Sequence, residues 1–173
     1  MPVPRAPRFT QEDYSQLPQG FPAELVDGGL VREPAPPPWN RRLALEVAIR
    51  LDRAAGPRRT VVGPVGVWVD EWNILHADVA AYAPEHAVTP DSRPDTVPVL
   101  VVEVLSRATR ARDRKVKVDH YLRTGVAEVW LVDPDEQSLE VCSAAGRTRR
   151  TGKESAESQA VPGFRLAWAD LVE

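Results

Sequence analysis

The chain has one cysteine, Cys142, in 173 residues. An internal disulfide is therefore excluded, and the composition suits a reducing compartment. Cys142 falls in an apolar strand pattern and reads as a small space-filling residue before it reads as a nucleophile. Long hydrophobic runs are also missing. None reaches the roughly 18 residues that a membrane-spanning helix needs, and MPVPRAPRFT lacks the apolar stretch of a signal peptide. A cytoplasmic protein with no membrane partner is expected. A large excess of either charge is absent too: the net charge of −3 excludes a strongly basic protein but leaves room for a local basic surface. No internal repeat is visible.

Proline is in excess, with 17 residues against an average usage of roughly 5%. The prolines gather in loops and near the N-terminus, so residues 1–22 read as a proline-rich arm. Residues 23–173 then form one domain, long enough for a real core. AELVDGGLV (23–31) predicts a hairpin turning at Asp27-Gly28-Gly29. EPAPPP (33–38) is a loop. Residues 39–55 place Leu43, Val47 and Leu51 on one helical face, and Gly56-Pro57 ends that helix.

Short strands are expected at 60–62 and 65–69. A longer one over 74–82 would carry His76, Asp78, Ala80 and Tyr82 on one face. Residues 83–97 form a loop. Residues 98–105 form a strand buried on both faces, 109–123 a helix and 128–132 a strand. The segments 138–143 and 147–151 continue the sheet, and 162–172 closes the chain. This order predicts an α/β fold, a mixed central β-sheet flanked by helices. The strand-helix-strand unit over 98–132 makes its two strands parallel.

Glu103 interrupts a run of Val and Leu. A carboxylate buried there costs several kcal/mol unless a cation partners it. Asp78 lies in another predicted strand of the same sheet. Neighbouring strands are about 4.8 Å apart, so the two carboxylates can share one divalent ion. Oxygen ligands with open positions suit Mg²⁺, with Mn²⁺ as a substitute. Lys117 shares a helical stripe with Asp113 and Tyr121 and can reach the same end of the strand. The competing readings are a structural salt bridge for Glu103, a turn aspartate for Asp78 and a solvated helix lysine for Lys117. Arg107, Arg110, Arg112, Arg114 and Lys115 make a basic run beside these residues, either a phosphate-contacting surface or a solvated face.

LVVEVLSRATRARDRKVKVDHYLRTGVAEVWLVDPD resembles the signature of the Uma family of restriction-endonuclease-like proteins, within the PD-(D/E)XK nuclease superfamily. The matching positions are Glu103 to Ser106, Asp113, Lys117, Tyr121, Gly125-Val126, Glu128, Trp130 and Val132 to Pro134. AELVDGGLV, HADVAAY and PGFRLAW are similar to the family's opening hairpin, P-D strand and closing segment. The resemblance implies a Mg²⁺-dependent endonuclease acting on DNA phosphodiesters, with Asp78 and Glu103 holding the metal. Lys117 would be the superfamily lysine moved from strand to helix. Glu24 would be the opening acidic residue, which reads as structural before it reads as catalytic. Two positions depart from the pattern: Ala77 replaces the proline before the aspartate, and Asn40 stands where the family often has histidine. A homodimer is expected if both strands of a duplex are cut. The alternative is a non-catalytic nucleic-acid-binding or protein-interaction module that keeps the fold.

Overall fold

The computed structural model describes residues 8–57, 60–86 and 96–172. Its centre is a six-stranded mixed sheet in the order β10-β9-β8-β7-β6-β3. The strands are β3 (Thr60–Val62), β6 (Val79–Tyr82), β7 (Leu100–Val104), β8 (Glu128–Asp133), β9 (Ser138–Ser143) and β10 (Gly146–Thr151). As expected, β7 and β8 run parallel, and the other pairs in the sheet are antiparallel.

Strict alternation along β7 divides the core in two. Leu100, Val102 and Val104 face α2 (Pro38–Ala55), through Leu43, Val47 and Leu51, together with the closing segment around Phe164 and Trp168. Val101 and Leu105 face the opposite layer, where Val118 and Tyr121 pack. Helix α2 begins with Pro38 in its first turn, where a missing N–H costs nothing, and ends at Gly56 with φ of 71°.

That opposite layer holds a second sheet that the sequence does not announce. It is antiparallel, ordered β2-β1-β5-β4, from β1 (Ala23–Val26), β2 (Gly29–Arg32), β4 (Val65–Asp70) and β5 (Asn73–Ala77). The β1–β2 turn has positive φ at Asp27 (49°) and Gly28 (78°), the pattern of a two-residue type I′ hairpin. A ribbon of β11 (Ser155–Glu157) and β12 (Arg165–Ala167) completes the strands.

The expected single strand over 74–82 is a correction. The chain leaves the second sheet after Ala77, which pairs with Val65, and joins the central sheet at Val79, which pairs with Val102. Asp78 is the crossing residue. The turn joining β3 to β4 crosses beside it, and a Cβ on Gly63 would lie 2.1 Å from the Asp78 carbonyl oxygen. Only glycine allows that approach.

Of the N-terminal arm, the described part contains α1 (Gln11–Ser15), with a Thr10–Asp13 capping box. Most of the predicted 83–97 loop and the first residues of the arm lie outside the described residues. No helix among the described residues is long and apolar enough to cross a membrane.

Candidate active site

The site lies where β6 and β7 meet the helix that follows β7. That helix is built from α3 (Arg110–Arg112), a π-helical turn (Asp113–Lys117) and α4 (Val118–Thr124). The π turn is closed by the Val118 N–H donating to the Asp113 carbonyl. Such insertions occur frequently at functional sites. Here the turn carries the two charged side chains of this helix that are buried, Asp113 and Lys117.

Glu103 shares a strand face with Val101 and therefore points at this helix; it is 3% exposed. Its Oε1 receives the Tyr121 hydroxyl at 2.8 Å and the Lys117 ammonium at 2.8 Å. Asp78 continues the β6–β7 register by one position beyond Val79–Val102, and its Oδ2 accepts the Val104 N–H at 2.7 Å. Asp78, Glu103, Asp113 and Lys117 all line one cleft of about 1280 Å³.

A second tier of contacts holds Lys117. Its Nζ lies 2.9 Å from Glu24 Oε1 and 3.8 Å from Asp113 Oδ1, and it donates to the His76 carbonyl at 2.6 Å. Glu24 is fully buried. Its Oε1 also accepts the His76 N–H at 2.8 Å, and its Oε2 sits 2.9 Å from the Arg112 guanidinium. The His76 ring is held on both sides, with Nδ1 against Glu33 and Nε2 3.1 Å from the Tyr14 hydroxyl. The Asn40 amide donates to the Val104 and Leu105 carbonyls at 3.3 and 3.0 Å, pinning the end of β7 to α2.

The charges do not balance. Glu24, Glu33, Asp78, Glu103 and Asp113 face the cations Lys117 and Arg112, besides the His76 ring. Burial pushes the Glu103 carboxyl well above its ordinary range; Lys117 opposes that shift, and Asp78, Asp113 and Glu24 reinforce it. Asp78 is raised for the same first reason, against the Val104 N–H and Lys117. Asp113 is also raised by burial, and its Oδ1 is buried without a hydrogen-bond partner. For Lys117, burial favours the neutral amine, yet Glu103, Glu24 and Asp113 outweigh it and hold the group above the ordinary lysine range. Three carboxylates within 4 Å therefore favour the charged form of Lys117.

Under-neutralised carboxylates with an orphaned oxygen fit a hard divalent ion. Among the described residues no three His, Cys, Asp or Glu side chains gather as a ready-made cage. Two protein carboxylates with waters filling the remaining positions is an arrangement common for Mg²⁺.

The structure therefore brings Asp78, Glu103, Lys117 and Glu24 together. The basic run is not one free surface. Arg112 is tied to Glu24, Arg110 to Asp133 and Asp135, and Arg114 to Asp133 and Glu140. Arg107 reaches Asp135 at 3.3 Å while its side chain stays 90% exposed, and Lys115 is exposed. Alternating Arg with helical spacing could not reveal these acidic partners on β8, β9 and β1. Tyr14 and Glu33, which fix His76, carried no sequence signal.

Over residues 11–169 the chain matches the family described as "Uma2: Putative restriction endonuclease". No curated protein matches it. Among solved structures it is similar to the crystal structure of a putative nuclease belonging to DUF820 from Anabaena variabilis ATCC 29413, with a TM-score of 0.84. That alignment covers 94% of this chain and 97% of the other at 17% identity. At this identity the likeness shows the fold.

Proposed function

Since the chain belongs to the Uma2 family of putative restriction endonucleases, we propose that it hydrolyses DNA phosphodiester bonds with Mg²⁺, for which Mn²⁺ can substitute. The observation that carries this reading is the convergence of Asp78, Glu103 and Lys117 on one cleft, with the Lys117 ammonium 2.8 Å from Glu103. Asp78 and Glu103 would hold the ion. When bound, such an ion lowers the pKa of a water and offsets the charge that builds on the phosphate.

The chain's own residues have separate tasks in this proposal. Lys117, its charged form favoured by its carboxylate neighbours, stabilises negative charge on the phosphoryl oxygens. Glu24 and the His76 carbonyl aim the ammonium, and Tyr121 fixes the carboxylate of Glu103. Asn40 and the Asp78–Val104 hydrogen bond hold the end of β7, where both carboxylates must keep their spacing. Arg107 and Lys115, exposed on the basic run, and Arg41, exposed on the cleft lining, are candidate phosphate contacts. Cutting both strands of a duplex from one centre per chain calls on two copies, so a homodimer belongs to the duplex version of this proposal.

A second reading is a non-catalytic binding module. It draws on Lys117 already neutralising Glu103 and on the lack of a three-residue cage among the described residues. Nicking of supercoiled plasmid and cutting of single-stranded DNA, with Mg²⁺ or Mn²⁺, separate the two. The nuclease reading expects ion-dependent cleavage that falls at least about 100-fold in Glu103→Ala and Lys117→Ala. Equal cleavage by wild type and both variants would assign the activity to a contaminant and leave the binding module.

A further inference from the structure

The carboxylates around Lys117 differ in how fully they are engaged. Glu24 faces Lys117 and Arg112 and accepts the His76 N–H. Glu103 takes Tyr121 and Lys117, Asp78 takes the Val104 N–H, and Glu33 takes the His76 ring. Asp113 is less occupied. It lies on the cleft lining beside Glu103 and is 3% exposed, yet its Oδ1 has no hydrogen-bond partner. Lys117 Nζ, at 3.8 Å, is too far away to supply one. The Thr109 hydroxyl donates to the same carboxyl group, so that bond falls on Oδ2, and the Ser106 hydroxyl lies 3.0 Å from that of Thr109. One side of Asp113 is therefore anchored and the other is open. The preceding residue, Arg112, also on the cleft lining, has a buried Nε without a partner.

Buried polar atoms that the protein leaves unpaired are met by ordered water, and an acceptor on the cleft lining is where a reacting water can be held. Hydrolysis also needs a group to receive that water's proton. In the nuclease reading Asp78 and Glu103 are committed to the ion, and Lys117 is favoured in its charged form. Burial raises the pKa of Asp113, against Lys117, Thr109 and Arg112, and a carboxylate made more basic is a better proton acceptor near neutral pH. Resting on the nuclease reading above, we propose that Asp113 Oδ1 holds the attacking water and takes its proton. The water oxygen forms the new bond to phosphorus while the bond to the leaving sugar oxygen breaks. That oxygen departs with the electron pair and is protonated by solvent, and Asp113 returns its proton to solvent after each turnover. The charged groups facing Asp113 are Lys117 and Arg112 of its own helix, Glu24 of β1, Glu103 of β7 and Asp78 at the sheet crossing.

Crystallography and kinetics on the full chain test this together. Metal-free crystals of the wild type should show an ordered water within about 2.6–3.2 Å of Asp113 Oδ1. Asp113→Asn keeps the side-chain volume and should keep the wild-type far-UV spectrum and Mn²⁺ affinity, because it removes no ion ligand. Its kcat should fall at least about 100-fold with KM unchanged. With Mn²⁺ saturating, the wild-type kcat should decline at acid pH as Asp113 is protonated, and the kcat of the variant should not. Formate, entering the vacated space, should restore part of the activity of Asp113→Ala and none of that of Glu103→Ala. Wild-type kcat in Asp113→Asn, Mn²⁺ binding weakened tenfold there, or no water at Oδ1 overturns the inference, while Glu103-dependent cleavage keeps the nuclease reading. A wild type that holds the water but never cleaves DNA removes the nuclease reading, and the proton transfer with it.

Discussion

Glu103 stood out in the sequence because a single acid inside LVVEV, on a strand buried on both faces, needs a cation beside it, whether from the protein or from a metal. Lys117 was legible because its stripe with Asp113 and Tyr121 repeats every four residues. Tyr14 could not be found this way, since it reaches His76 from 62 positions away through a short helix folded back over the second sheet. The same residues predict a pH effect. The folded-state pKa of Asp78 lies above its unfolded value because burial outweighs the Val104 N–H and Lys117. The stability it contributes is therefore fully present below the unfolded carboxylate pKa of about 3.9. It is lost as pH rises through the folded value. Asp78→Asn, neutral at every pH and still able to accept from Val104, should melt with the metal-free wild type near pH 4 and above it at pH 7. Parallel melting curves at both pH values would contradict this. Glu24 has a different role: its carboxylate neutralises both Lys117 and Arg112. Glu24→Ala should destabilise the fold by about 3–5 kcal/mol in urea denaturation, and a loss under 1 kcal/mol would show that Asp113 and Glu103 suffice to hold Lys117.

Among the elements, the helix α2, the first hairpin and the parallel β7–β8 unit follow from periodicity and turn residues alone. The strand over 74–82 does not. From Ile74 to Tyr82 the segment stays apolar apart from His76 and Asp78, and such a run carries no sign of a change of sheet. That change comes from the neighbouring turn, where Gly63 backs onto the Asp78 carbonyl. The consequence is that Asp78 sits at a crossing rather than in mid-strand, which leaves it partly exposed to the cleft. Gly63→Ala places a methyl group against backbone that cannot rotate away. It should cost at least about 2 kcal/mol and weaken Mn²⁺ binding, measured by urea denaturation and by titration. Wild-type values for both would mean that the turn shifts freely and does not set the position of Asp78. The basic helix teaches a similar lesson: its arginines are read as a surface from sequence, but Asp133 and Glu140 take up Arg110 and Arg114 once β8 and β9 lie beside them.

For the whole molecule, the central mixed sheet was readable, and the second sheet was not. The latter joins β1 to β5 through a single registered pair, Leu25 with Ile74, which no local pattern encodes. Yet this sheet completes the site, because Glu24 on β1 and the His76 carbonyl on β5 hold the same Lys117 ammonium that pairs with Glu103. The molecule thereby surrounds one ammonium with more carboxylate than it can neutralise, and that excess is the basis for expecting a divalent ion. Mn²⁺ binding followed by electron paramagnetic resonance, on the wild type and on Asp78→Asn and Glu103→Gln at pH 7.5, examines this directly. The account predicts one tight Mn²⁺ per chain in the wild type, and binding at least tenfold weaker in either variant. Identical titrations for all three proteins, or no binding by the wild type, would contradict it.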